Sequence, residues 1–184
     1  MSNQIDILIA VDAVRLMEEG LGKGSTPDAP CFLGGNYDSD KYITMVCQPK
    51  FAPGAKYSEV NQEGHSELNV NAVEGDTIVW SITTFDGMRL YSANLYRSAF
   101  HPADGVSCLS YVSQRTINRL PALDNVNTLS PGPITQYKNQ LCWVSGQIEK
   151  TEKIQYTLGF QITDNKDGSA RYFTWDPFFD LKIG

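Results

Sequence analysis

Apolar and polar residues alternate with a period of two along much of the chain. The clearest case is Ile154 to Ile162, where Ile154, Tyr156, Leu158, Phe160 and Ile162 are interleaved with Gln155, Thr157, Gly159 and Gln161. Such a segment turns one face to a core and the other to water, as a strand does. Thr77 to Phe85 repeats the pattern, with Ile78, Trp80 and Ile82 on one face and Val79, Ser81 and Thr83 on the other. Its β-branched and aromatic residues suit a pleated surface. Ile5 to Val11 is nearly continuous in apolar residues and reads as a strand buried on both faces. Tyr42–Gln48, Val106–Ser113, Leu141–Ile148 and Arg171–Trp175 read as further strands. Leu68, Val70 and Ala72 alternate with Asn69 and Asn71 as a half-buried one, and Phe179, Leu181 and Ile183 alternate beyond Pro177. In Met88–Arg97 the apolar phase slips, from Met88 and Leu90 to Ala93 and Leu95. A bulge near Ser92 is the expected cause.

The intervening residues punctuate this pattern. Asp12 is placed to cap a short helix containing Ala13, Leu16 and Met17, which Gly20 would end. Glu74-Gly75-Asp76 and Asp86-Gly87 are turn signals. Two long connections are expected, Gly20–Asp40 and Asn118–Tyr137, the second carrying Pro121, Pro131 and Pro133. No helix–strand alternation of the doubly wound kind occurs. The fold class expected is all-β: a β-sandwich of roughly seven to nine mainly antiparallel strands with one short N-terminal helix, one domain over residues 1–184.

Composition narrows the partners. The formal charge is −6 and the pI about 4.8. Lys150 and Lys153 are the nearest approach to a basic cluster. Nucleic acid and anionic membrane surfaces, which need such a patch, are not expected partners. The first twenty residues lack a basic n-region, and Asp6 and Asp12 break their apolar run, so they do not read as a secretory signal. No run approaches the ~18 apolar residues of a membrane span. The expected location is the cytoplasm. Cys31, Cys47, Cys108 and Cys142 are widely spread with no C-x-x-C, which reads as four reduced thiols rather than a disulfide framework or a zinc site.

Candidate chemistry is sparse. In Asp164–Gly168 (DNKDG) an EF-hand register puts Lys166 and Gly168 where oxygen ligands belong, so the segment reads as a hairpin turn. A blue-copper site needs two His, a Cys and usually a Met. The chain has only His65 and His101, and the nearest grouping of His101, Cys108 and Met88 lacks the spacing. A Cys108–His101 dyad is the one nucleophile pairing to weigh, and seven residues of loop and strand do not favour it. Carboxylate pairs for glycoside chemistry would come from Asp6, Asp12, Glu59, Asp86 or Asp176. Of Trp80, Trp143 and Trp175, Trp80 belongs to a core face. Trp175 reads as a structural corner bonded to a local carboxylate or carbonyl, with sugar stacking as the lesser reading. No catalytic, cofactor or metal residues are therefore assigned, and no cofactor is expected.

The segments IDILIAVDA, YITMV, GDTIVWSITT and YTLGFQITDNKDGSARYFTWDPFFDLKI, in this order, resemble the bacterial AidA/PixA inclusion-body protein family. The likeness covers nearly the whole chain, and the WDP after a Y-x-L-x-F-x-I strand is its most specific part. It implies a β-sandwich and small cytosolic proteins that accumulate to high levels, sometimes in intracellular inclusions. It also implies expression tied to quorum sensing, host association or secondary metabolism. It carries over no catalytic residue. With four Met in 184 residues, the chain does not share a methionine-storage composition.

The function expected is thus non-enzymatic, with self-association into a homo-oligomer through edge strands or an apolar patch such as Phe178-Phe179. The alternative is a small-ligand or carbohydrate-binding module using the Gly20–Asp40 and Asn118–Tyr137 loops.

Overall fold

The computed structural model describes residues 2–34, 38–52, 64–102, 109–123, 134–148 and 153–180, of which 100–102, 109–123, 134–144, 153–154 and 178–180 are described by backbone alone. Ten strands and one α-helix occur among them. They are β1 (Gln4–Val11), α1 (Ala13–Glu18), β2 (Cys31–Phe32), β3 (Ile43–Cys47), β4 (Thr77–Thr84), β5 (Tyr91–Pro102), β6 (Leu109–Leu123), β7 (Ile134–Gln147), β8 (Lys153–Asp164), β9 (Ala170–Trp175) and β10 (Phe178–Asp180). A 3-10 turn covers Asp38–Lys41. One sheet has the order β3-β1-β4-β7-β6. In the other, β8 is central, with β5 on one side and β9 and β10 on the other, and β2 lies outside β9. Only β1–β4 and β2–β9 are parallel. The all-β sandwich is thus as expected, and its strands are mainly antiparallel.

Alternation places the core between the two sheets. Ile5, Ile7, Ile9 and Val11 of β1, Ile78, Trp80 and Ile82 of β4, and Ile43 and Met45 of β3 point inward from the first sheet. Tyr156, Leu158, Phe160 and Ile162 of β8, with Phe173 and Trp175 of β9, meet them from the second. Trp80 and Tyr156 join the layers, their ring centroids 5.4 Å apart. Phe160 stacks on Phe173 at 5.3 Å and meets Trp175 edge-on at 5.5 Å. Such aromatic pairs add to the area they bury. Burial pushes the Tyr156 phenol far above its usual pKa, only partly offset by its side-chain hydrogen bond with Trp80.

The short helix forms as read. The Asp12 carboxylate accepts the Arg15 N–H at 3.0 Å. At the other end the Leu21 N–H reaches the Leu16 carbonyl and the Gly20 N–H the Met17 carbonyl, each at 3.1 Å, with Gly20 at φ +72°. That is a Schellman closure, which needs a left-handed residue where glycine stands.

Four readings need correction. β1 is not buried on both faces: Asp6 and Leu8 face outward, and Leu8 pairs with the exposed Val46 across β3. Residues 68–72 keep the expected in–out burial but form no strand, because the segment runs over the core without a ladder partner. The bulge lies between Leu95 and Arg97, not near Ser92, since Met88 and Leu90 belong to the preceding turn and set no strand phase. The extra residue is Tyr96, whose ring lies over Gly159, where a Cβ would stand 3.2 Å from it. The fourth correction concerns Asn118–Tyr137. Both ends of this supposed connection are strand: β6 continues to Leu123 and β7 starts at Ile134. Pro121 is compatible with this because β6 is an edge strand, where a missing N–H breaks no ladder on the open side.

Candidate functional site

β7 is shared unequally by its neighbours. With β4 it pairs only from Gln147 opposite Thr77 to Trp143 opposite Ser81. With β6 it pairs over its whole length. Beyond β4 the β6–β7 ladder runs on from Gln114 opposite Cys142 to Leu123 opposite Ile134, with one irregularity between Ile117 and Leu120. At roughly 3.3 Å per residue this ribbon extends on the order of 25 Å past the last β4 pair. Among the described residues no third strand continues the ladder along it, and the outer side of β6 has no strand partner at all. An isolated two-stranded ribbon is marginal in water, and a long open edge is a template for another strand.

The β3 edge of the first sheet is blunted, and the second sheet has short edges at β2 and β10 but a longer one at β5, which among the described residues pairs only with β8. On β3, the Met45 N–H bonds to the His65 carbonyl and the Met45 carbonyl to the Gly64 N–H, at 2.9 and 3.0 Å. β2 is two residues long, and β10 pairs with β8, Phe178 opposite Gln155 and Phe179 opposite Ile154. Phe178-Phe179 therefore sits on a three-residue strand paired with β8.

The polar groups that suggested chemistry are occupied structurally. Asp40 Oδ1 accepts both the Ser66 N–H and the Ser66 hydroxyl at 2.7 Å, and Asp40 Oδ2 lies 2.9 Å from His65 Nδ1. Ser39 donates to the Ser66 hydroxyl at 2.8 Å, and the Ser66 carbonyl accepts the Trp175 indole N–H at 3.1 Å. In a nucleophilic triad the imidazole stands between hydroxyl and carboxylate. Here the carboxylate stands in the middle and the hydroxyl is buried, so the cluster staples the 3-10 turn, the 64–67 segment and the end of β9. Trp175 has its carbonyl partner, as expected, but from a segment 109 residues earlier rather than a local one. Trp80 and Trp175 are both buried and offer no ring face to a sugar.

Burial works against the ionised form of Asp40, but the hydrogen bonds from Ser66 and His65 outweigh it and hold the carboxyl below the usual carboxylate range. A depressed folded-state pKa gives stability that is present above the unfolded value, near ~4, and is lost as pH falls through the folded value. Asp40→Asn should thus lower stability at pH 7 and reduce its loss between pH ~4 and lower values. Urea unfolding at a series of pH values checks this, and parallel curves for the two proteins would contradict it.

The remaining carboxylates have separate tasks. Asp6 bonds Gln4 and Gln48, Asp12 caps α1, Asp86 pins the turn after β4, and Asp176 accepts from Gln155 at 3.2 Å. Glu59 and Cys108 lie outside the described residues, as do the side chains of His101, Cys142 and Trp143. Neither Cys31 nor Cys47 is in a disulfide. No group of three or more His, Cys, Asp and Glu gathers among the described residues as it would around a metal ion. No described helix is long and apolar enough to cross a membrane. Asp164–Gly168 is the expected turn: the Gly168 N–H meets the Asp164 carbonyl at 2.8 Å with Gly168 at φ +75°.

Sequence reasoning missed the ribbon, because three prolines outweighed the strand-forming Ile134, Thr135 and Tyr137. It also missed the Asp40–Ser66 cluster, whose members are 26 residues apart and carry no local signal.

Comparison with known proteins agrees with this architecture. A crystal structure of an inclusion body protein (PixA) from Burkholderia cenocepacia superposes with a TM-score of 0.68 at 14% identity, covering 98% of this chain and 97% of that one. At that identity the likeness shows the fold alone. No curated protein matches the chain. The model of the family described as PixA, inclusion body protein, matches residues 3–181, so the chain belongs to the PixA inclusion body protein family.

Proposed function

We propose that this protein is non-enzymatic and works by self-assembly, accumulating in the cytoplasm as ordered inclusions. The observation that carries the reading is the β6–β7 ribbon, which runs past β4 with an open outer edge. Two copies meeting through β6 would extend the first sheet across a two-fold axis and give both ribbons the third and fourth strands they lack. The wiring of Ser66, Asp40 and His65 supports a structural rather than a catalytic role. Family membership supports accumulation, and with it regulated high-level expression of the kind linked to quorum sensing or host association.

Amide exchange of the full chain tests the assembly. The 109–123 amides should be protected at high protein concentration and exchange at least tenfold faster on dilution, while those of β1 and β8 stay constant. Protection of 109–123 that is independent of concentration would contradict the reading.

A further inference from the structure

A cleft of about 340 Å³ opens between the turn that follows β4 and the turn that joins β8 to β9, lined by Arg89, Leu90, Tyr91, Asp164, Asn165 and Lys166. The first turn leads from β4 into β5, whose Tyr91 pairs with Asp164 of β8, and Asn165 ties the two turns together further. The Asn165 side chain donates to the Met88 carbonyl at 2.9 Å and accepts from the Ser92 hydroxyl at 2.7 Å, and its backbone N–H meets the Leu90 carbonyl at 3.0 Å.

The first turn is fixed from within as well. Asp86 accepts the Thr84 hydroxyl and, at 2.6 Å, the Leu90 N–H, while Thr84 Oγ1 accepts the Met88 N–H at 2.7 Å. Burial raises the Asp86 pKa, and these bonds more than reverse it, so the carboxyl stays ionised in its role. The turn holds Met88 at φ +60°, a left-handed conformation that a non-glycine residue keeps only when its surroundings impose it. Among the described residues neither Arg89 nor Lys166 forms an ion pair, in a chain of net charge −6. Leu90, between them in the cleft wall, is 48% exposed.

We propose that this cleft binds a small organic anion: one carboxylate or phosphate group on a compact apolar body. The anionic group would be held by Arg89 and Lys166, and the body would lie on Leu90 and Tyr91. The rigid walls fit a preformed site, and the volume is at the low end of ligand pockets, which suits a metabolite-sized molecule rather than a polymer. Guanidinium recognises both carboxylate and phosphate through paired N–H donors, so the two head groups are distinguished by experiment.

The test is titration of the isotopically labelled full chain with phenylacetate, phenyl phosphate and uncharged benzyl alcohol, followed by amide NMR shifts. At least one anion should give saturable shifts confined to residues 89–91 and 164–166. Which anion binds more tightly identifies the head group. Arg89→Ala with Lys166→Ala should weaken that binding at least tenfold, since each charged hydrogen bond is worth more than about 1.4 kcal/mol. Both side chains are exposed, so the thermal midpoint should not move. The proposal is overturned if neither anion gives saturable shifts at millimolar concentration, if benzyl alcohol binds equally well, or if the double variant binds as the parent does.

Discussion

Replacing Trp80 by alanine should lower the free energy of unfolding by about 3–5 kcal/mol, enough to leave a typical domain close to unfolded at 37 °C. Trp80 is 1% exposed and is among the largest buried side chains in the described core. It stands on β4, between β1 and β7, and its ring reaches across the core to Tyr156 of the opposite sheet. Its removal leaves a cavity bounded by two ladders that cannot slide inward without breaking register, so little of the lost contact can be recovered. The measurement is urea unfolding followed by far-ultraviolet circular dichroism, which does not rely on the deleted fluorophore. The midpoint should fall sharply with little change in slope. Leu8→Ala, one strand away but 41% exposed, should cost less than about 1 kcal/mol. Equal losses for the two would contradict this assignment of the core.

Asp76→Ala should cost about 2–4 kcal/mol although it deletes no apolar contact. Asp76 is 1% exposed and sits at the turn entering β4. Its Oδ1 accepts the Asn3 N–H at 2.7 Å and the Asn3 side-chain amide at 3.2 Å, and its Oδ2 accepts the Val73 N–H at 3.1 Å. One carboxylate thus fastens the residue before β1 to the turn before β4, where those two strands run parallel without a hairpin to align them. Alanine would leave at least two backbone donors without partners, at ~1–3 kcal/mol each where water cannot replace the bond. Asp76→Asn retains one oxygen and should cost about half as much. Chemical unfolding of both variants checks the order, and an alanine variant as stable as the asparagine one would contradict it.

How much of this was legible in the sequence depends on how local the cause is. The alternation in Gln155–Ile162 and Thr77–Thr84 needs only a strand with one buried face, and there the apolar side chains face the core as read, while Gly159, read as facing water, is buried beneath the Tyr96 ring. The Asp12 cap and Gly20 stop are equally local. Ile5–Val11 misled because Leu8 and Ala10 are apolar yet face outward, so composition imitated burial on both sides. Residues 68–72 misled for a different reason: burial alternates there, but a ladder also needs a neighbour, which one segment's pattern does not specify. In Asn118–Tyr137 the prolines read as a break, whereas in an edge strand a proline is tolerated. The anion cleft depends on Asn165 meeting Met88 and Ser92, 77 and 73 residues away, and no local pattern encodes that meeting.

The proposed assembly joins copies of the chain through the ribbon that β6 and β7 form beyond β4. Its most direct test is the mass in solution, by light scattering, of the full chain and of a variant in which residues 115–141 are replaced by an Asn-Gly turn joining Gln114 to Cys142, which face each other in the ladder. The full chain should run at a multiple of the monomer mass. The shortened chain should be monomeric at the same concentration, with an unchanged β-rich circular dichroism spectrum. A full chain that stays monomeric at high concentration, or a folded shortened chain that assembles as the parent does, would contradict it.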